Sequence, residues 1–324
     1  MPQQNGNCDK VCDKATAPID IPLTCSETCG SGSRCSYKYD YSITDLKITN
    51  KGNYLSITET NAPKSKAACS YNAAEYIVNE IRIYTPSLHS FDGEKADAEM
   101  ILVHDPLIGG VAQTAESPFL VCLPIEVGMG GKIPGAATLN EILNNASSST
   151  PTKDKITTIP SSSSHFTLNK FIPKEGFYVY TGTLPYASND NNNSSDVPSC
   201  SYTNVQYIVF NKNISFNIST AANNSLKKII EDSNFCVNSK IKCGESDGGL
   251  RFNKYPPKLS NTSDDIYIDC QPVNSSGQTM VEEPSPSTAV WGASLLDTLM
   301  NSGIISMFFG FFFMILLYHF SKKF

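Results

Sequence analysis

The sequence predicts a mainly β chain of the α+β class, with one membrane-spanning helix at its C-terminal end. Three stretches carry that reading. Residues 80–84 (EIRIY) and 98–104 (AEMILVH) alternate in polarity around a turn-rich middle. Successive side chains leave a strand on opposite faces, so period-two alternation marks a half-buried strand. The third stretch, residues 303–320 (GIISMFFGFFFMILLYHF), is almost wholly apolar and carries no acid, lysine or arginine. As a helix it spans roughly 27 Å, close to the ~30 Å hydrocarbon core of a bilayer.

The two alternating runs closely resemble the central strands of the α-carbonic anhydrases, where the same place reads roughly HFHTPSEH and then MEMHLVH. Taken in order, other segments resemble the family too. Residues 17–21 (APIDI) are similar to its Q-S-P-I-D-I start, and 46–57 match a strand–turn–strand. Residues 119–127 (FLVCLPIEV) match the apolar strand after the zinc strand. Residues 166–184 (FTLNKFIPKEGFYVYTGTL) match F-x-P-x-x-L-L-P…Y-x-Y-x-G-S-L. Residues 197–210 resemble T-P-P-C-x-E-x-V-x-W-x-V, and 251–257 match the terminal R-P-x-Q-P region weakly. The resemblance implies a central, twisted, mostly antiparallel sheet over residues 1–269. Insertions interrupt it: a cysteine-rich piece at 24–36, a Ser/Thr/Lys stretch at 146–164, an Asn/Ser loop at 187–196, and 233–249.

The resemblance also shows what is missing. The family's zinc histidines fall on Arg82, Tyr84 and Ile101. Arginine has no lone pair to give and isoleucine no donor atom, so a lone tyrosine cannot hold zinc. The positions around the metal have changed as well: Leu88 stands for a glutamate, Pro185 for the hydroxyl that orients the zinc-bound water, and Asn53 for the proton-shuttle histidine. Glu99 keeps the carboxylate that supports a zinc histidine. Without that histidine, Arg82 is expected to pair with Glu99 and replace the metal's charge. His89 and His104 fit non-ligand places of the pattern, leaving His165 and the tail's His319. No cofactor is expected, and no enzymatic activity.

Eleven cysteines suggest disulfides and an oxidising final environment. Cys122, inside an apolar run, reads as a buried free thiol, which leaves an even number to pair. The resemblance implies a Cys12–Cys200 bridge, since secreted members of the family pair cysteines at these two places. Cys25, Cys29 and Cys35 have ligand-like spacings for zinc, but no fourth ligand lies nearby. Sequons begin at Asn145, Asn192, Asn193, Asn213, Asn217, Asn223, Asn261 and Asn274. They are glycan acceptors only in a secretory chain.

Net charge is −6, and no basic stripe is interleaved with aromatics, which argues against nucleic-acid binding. Residues 270–301 are polar at first, contain Pro284 and Pro286, and read as a stalk leading to the membrane. The span is placed at 302–320, with Trp291 and Tyr318 as interfacial anchors and a short basic tail at 321–324. No apolar signal peptide opens the chain. This layout resembles the carbonic-anhydrase-like, cell-surface-binding envelope proteins of poxviruses. It implies a single-pass virion membrane protein of a large DNA virus, its N-terminal domain exposed for host-cell attachment.

Three function classes follow. The first is non-enzymatic attachment to a host glycan or receptor. The poxvirus resemblance implies a sulfated glycan, with anion contacts expected at Lys64, Lys66, Lys227, Lys228, Lys240 and Lys242. The second is a structural membrane component touching other envelope or capsid proteins. The third is a carbonic anhydrase with an altered metal site, which the missing ligands disfavour.

Overall fold

The computed structural model describes residues 15–260, apart from 30–34, 61, 115, 129–132, 151, 160–165, 185–203, 215, 234–236, 239 and 246–247. The main sheet is built on β1 (Leu46–Asn50), β2 (Leu55–Glu59), β3 (Ala74–Tyr84), β4 (Ala98–Ile108) and β5 (Phe119–Val127). It continues with β6 (Ile156–Ile159), β7 (Phe177–Gly182), β8 (Val205–Phe210) and β9 (Arg251–Asn253). Their order across the sheet is β6-β1-β2-β3-β4-β5-β8-β7-β9, and short flanking strands bring the count to 14 among the described residues. Along this path only β5 and β8 run parallel. The expected mainly β chain with a mostly antiparallel sheet is present.

Alternation explains how one sheet divides two cores. On β3, Ile81 and Ile83 face one core and Tyr84 the other; on β4, Met100 and Leu102 oppose Ile101 and Val103. β5 is buried on both sides, with Phe119, Val121 and Leu123 against Leu120 and Cys122. That is why its sequence is apolar from Phe119 to Ile125 instead of alternating. Each large apolar side chain withdrawn from water contributes about 1.5–3 kcal/mol.

The β1–β2 connection shows local control of register. Lys51 N–H donates to the Tyr54 carbonyl at 3.0 Å, and Gly52 sits at φ +91°, where a Cβ would be strained. A register shift between Val78 and Glu80 leaves Asn79 as an extra residue against β4.

Among the described residues, two helices cover one face. Helix α1 (Ala136–Ser149) buries Leu139, Ile142, Leu143 and Ala146, the i, i+3, i+4, i+7 stripe of an amphipathic helix. Helix α2 (Thr220–Ile229) is capped by Ser219, whose hydroxyl accepts from Ala222 N–H at 3.1 Å. The inserted stretch 146–164 is partly built into the fold: it completes α1 and supplies β6, which pairs with β1.

Cys25 is bonded to Cys243, and Cys29 to Cys35. This corrects the zinc alternative for Cys25, Cys29 and Cys35, because a disulfide sulfur is no thiolate ligand. Cys122 is free and buried, but so is Cys69, so one odd thiol was too few. Cys69 lies in a short strand, 3 % exposed, where it is one more small hydrophobe. Cys12, Cys200, Pro185, His165, His319, the stalk at 270–301, the span at 302–320 and the tail at 321–324 lie outside the described residues. Among the described residues no helix is long and apolar enough to cross a membrane.

Candidate functional site

The site is set by cross-strand register. Arg82 on β3 stands opposite Ile101 on β4, and Tyr84 opposite Glu99. Directly opposed residues share a sheet face, so all four lie together, as period-two spacing predicts. Ile101 is fully buried, Tyr84 1 % exposed and Arg82 7 % exposed.

Arg82 does not pair with Glu99. Its Nε donates to Glu80 Oε2 at 2.6 Å, and its guanidinium lies 4.6 Å from the centre of the Tyr54 ring. The Ser56 hydroxyl, from the position opposite Arg82 on β2, donates to the other Glu80 oxygen. Glu80 sits two residues before Arg82 on the same strand and face, which makes it the nearest carboxylate. The expected Arg82–Glu99 contact is thereby corrected.

Glu99 is held from the other side. Its Oε2 accepts from Leu88 N–H at 2.7 Å and His89 N–H at 3.0 Å, and its Oε1 bonds His89 Nδ1 at 2.6 Å. A carboxylate only accepts, so Nδ1 carries the proton there. His89 Nε2 and the Tyr180 hydroxyl share a hydrogen bond of 2.7 Å. Burial alone would raise the Glu99 carboxyl, but the His89 ring and the backbone amides outweigh it and hold it below its ordinary range. Burial pushes the Tyr180 phenol and the Cys122 thiol well up. Lys95 donates to the carbonyls of Ser87 and Leu88 at 2.7 and 3.1 Å, and burial brings its ammonium down to about 8.

Above this interior opens a cleft of about 330 Å³. Arg82, Glu80 and Ser56 lie at its base, Lys47, Thr49 and Lys51 along one wall, and Asp105 and Glu116 along the other. Leu88 is buried in the same apolar cluster as Tyr84 and Ile101, and its backbone N–H serves Glu99; Asn53 is half-buried in the β1–β2 turn. The lysines fall on separate segments. Lys64 and Lys66 precede the 69–71 strand, Lys227 and Lys228 end α2, and Lys240 and Lys242 belong to the 233–249 insertion. All six are exposed, and Lys66 is paired with Asp40 at 3.0 Å.

Arg82, Tyr84 and Ile101 do not fit a zinc ion, since only the tyrosine among them has a ligand atom. His89, Glu99 and Cys122 do bring ligand-type atoms within 4.8 Å of one another. Both Glu99 oxygens and both His89 ring nitrogens are already engaged in hydrogen bonds, and all three residues are fully buried. His89 and Glu99, tied on to Tyr180, lock the fold, and the trio offers no open coordination position. Sequence reasoning missed its partners, although a histidine fixed ten residues before Glu99 was in view.

No family model matches the chain, and no curated protein matches it. Among solved structures, it is similar to the Photobacterium profundum alpha-carbonic anhydrase: 13 % identity, 75 % of this chain and 90 % of that chain covered, TM-score 0.53. Dioscorin complexed with ascorbate is also similar, at 15 % identity, with 76 % and 87 % covered and a TM-score of 0.49.

Proposed function

We propose that this chain, carbonic-anhydrase-like in fold, is a non-enzymatic surface protein that its C-terminal apolar segment ties to a membrane. In this reading the membrane is a virion envelope and the domain attaches to a host glycan or protein. One observation carries the non-enzymatic part. The family resemblance puts Arg82, Tyr84 and Ile101 at the metal's place, and Arg82 is already paired with Glu80 at 2.6 Å. Catalysis on this scaffold depends on a metal that lowers the pKa of bound water toward ~7. No side chain at the base of the cleft replaces that nucleophile. Attachment and viral placement are supported by the layout of domain, stalk and apolar tail.

The test has two arms on the purified full-length chain. After incubation with excess zinc and desalting, it should retain no stoichiometric zinc at the former ligand place, and CO2 hydration should run at the uncatalysed rate. Zinc that is lost on Tyr84→Phe, or measurable hydration, would overturn the reading. Binding to a panel of cells and glycans tests attachment. An electrostatic contact should weaken steeply from low to physiological salt, and more on charge reversal of Lys227 and Lys228 than on changes in the cleft.

A structural role in the envelope is the second reading. It is favoured by the Cys25–Cys243 bridge, which joins two inserted segments covalently. Binding to no cell surface, with cross-links only to neighbouring particle proteins, would select it.

A further inference from the structure

The charges of the cleft are sorted by wall. Lys47 and Lys51 lie on β1 and the turn after it, whereas Asp105 on β4 and Glu116 beyond it lie across from them. Between the walls, the Arg82–Glu80 pair adds no net charge. Lys47, Lys51 and Glu116 have no ion-pair partner among the described residues. Asp105 is 6 % exposed, and burial raises its carboxyl while Asn79 and Lys64 work the other way.

Sheet order fixes the separation. β2 and β3 lie between β1 and β4, three interstrand steps or roughly 14 Å between backbones. Lysine side chains are long and flexible, so the charged ends can stand closer than the backbones. An extended tripeptide spans at most about 10 Å. Ser56 and Thr58 on the floor and Thr49 on the β1 wall add hydroxyls that can meet peptide groups. A volume of about 330 Å³ is at the small end of ligand pockets.

We propose that the cleft binds a short zwitterionic peptide, its carboxylate toward Lys47 and Lys51 and its ammonium toward Asp105 and Glu116. A simple anion is attracted by one wall and repelled by the other, and a simple cation likewise. Only a ligand carrying both signs is matched at both ends. The proposal rests on reading the cleft as a binding site, and is independent of membrane or host.

Calorimetric titration of the full-length chain tests it with four probes: triglycine, N-acetyl-triglycine, triglycine amide and phosphocholine. Triglycine should bind, and either cap should weaken it about tenfold, as expected for loss of one charged hydrogen bond. Lys47→Gln with Lys51→Gln should erase the preference for a free carboxylate and keep that for a free amine. Glu116→Gln should cut the preference for the amine alone. An unchanged urea midpoint shows that the variants remain folded. No binding of triglycine, or caps without effect, overturns the proposal. Tighter binding of phosphocholine overturns it too, in favour of a lipid headgroup. CO2 hydration is followed on the same sample: hydration overturns the non-enzymatic reading, whereas absent peptide binding without hydration overturns only this proposal.

Discussion

At the scale of single residues, Glu99 and Arg82 are opposite cases. Glu99 is fully buried and holds two backbone amides and an imidazole. Glu99→Ala strands all three donors and should cost about 3–5 kcal/mol in urea unfolding. Arg82→Met leaves Glu80 bonded to Ser56 at the cleft base, and should cost about 1–2 kcal/mol. Equal losses for the two variants would contradict this division. His104 gives a pH prediction. It is fully buried between the Tyr41 hydroxyl and the Phe119 carbonyl, and burial pushes its pKa down to about 4. The unfolded chain takes up that proton first, near pH 6.5. The contribution is therefore present above about pH 6.5 and lost as pH falls toward 4, about 3 kcal/mol in all. Glu59, raised to about 7 chiefly by burial, runs the other way, its contribution fading as pH rises from about 4.5 to 7. The clean readout is thus a difference: His104→Gln should flatten the acid limb of the stability curve relative to the parent chain. That Arg82 and Tyr84 share a face, and that Glu99 and Ile101 share one, was legible from period two. That the two pairs face together came from the family resemblance, and the register bears it out. Arg82's partner was not read correctly, because the family pattern pointed to Glu99 while simple strand spacing pointed to Glu80.

At the scale of elements, the strands were the legible part. Runs 80–84 and 98–104 lie inside the longer β3 and β4, and 119–127 is β5. Helix α1 was not foreseen: its apolar stripe of Leu139, Ile142 and Leu143 gives way to a Ser-rich end that resembles an inserted loop. Cysteine pairing was also illegible, because spacing does not determine connectivity. The Cys25–Cys243 bridge closes a separation of 218 residues, and removing it by a double serine substitution should cost about 2–4 kcal/mol. Peptide mapping without reduction should return Cys25–Cys243 and Cys29–Cys35. In the native chain Cys69 and Cys122 should resist iodoacetamide, because both thiols are buried and pushed upward. Rapid native labelling of either would show that its strand opens. The same map decides the Cys12–Cys200 pairing that the family resemblance implies.

For the whole molecule, the proposed anchoring predicts that the full-length chain sediments with membranes after alkaline carbonate washing, and that deletion of residues 302–320 releases it. Release of the intact chain would refute a spanning tail. The sheet itself offers a different lesson, about inheritance. The lock formed by His89, Glu99 and Tyr180 shares no residue with the lining of the cleft. A lineage can therefore rewrite Thr49, Thr58 or Thr114 with little penalty to folding, while His89 and Glu99 stay fixed. A saturation mutagenesis library selected only for folding should reveal that asymmetry as a sharp step in tolerance between the cleft lining and the buried lock. Such a partition lets the cleft change its ligands without passing through unfolded intermediates.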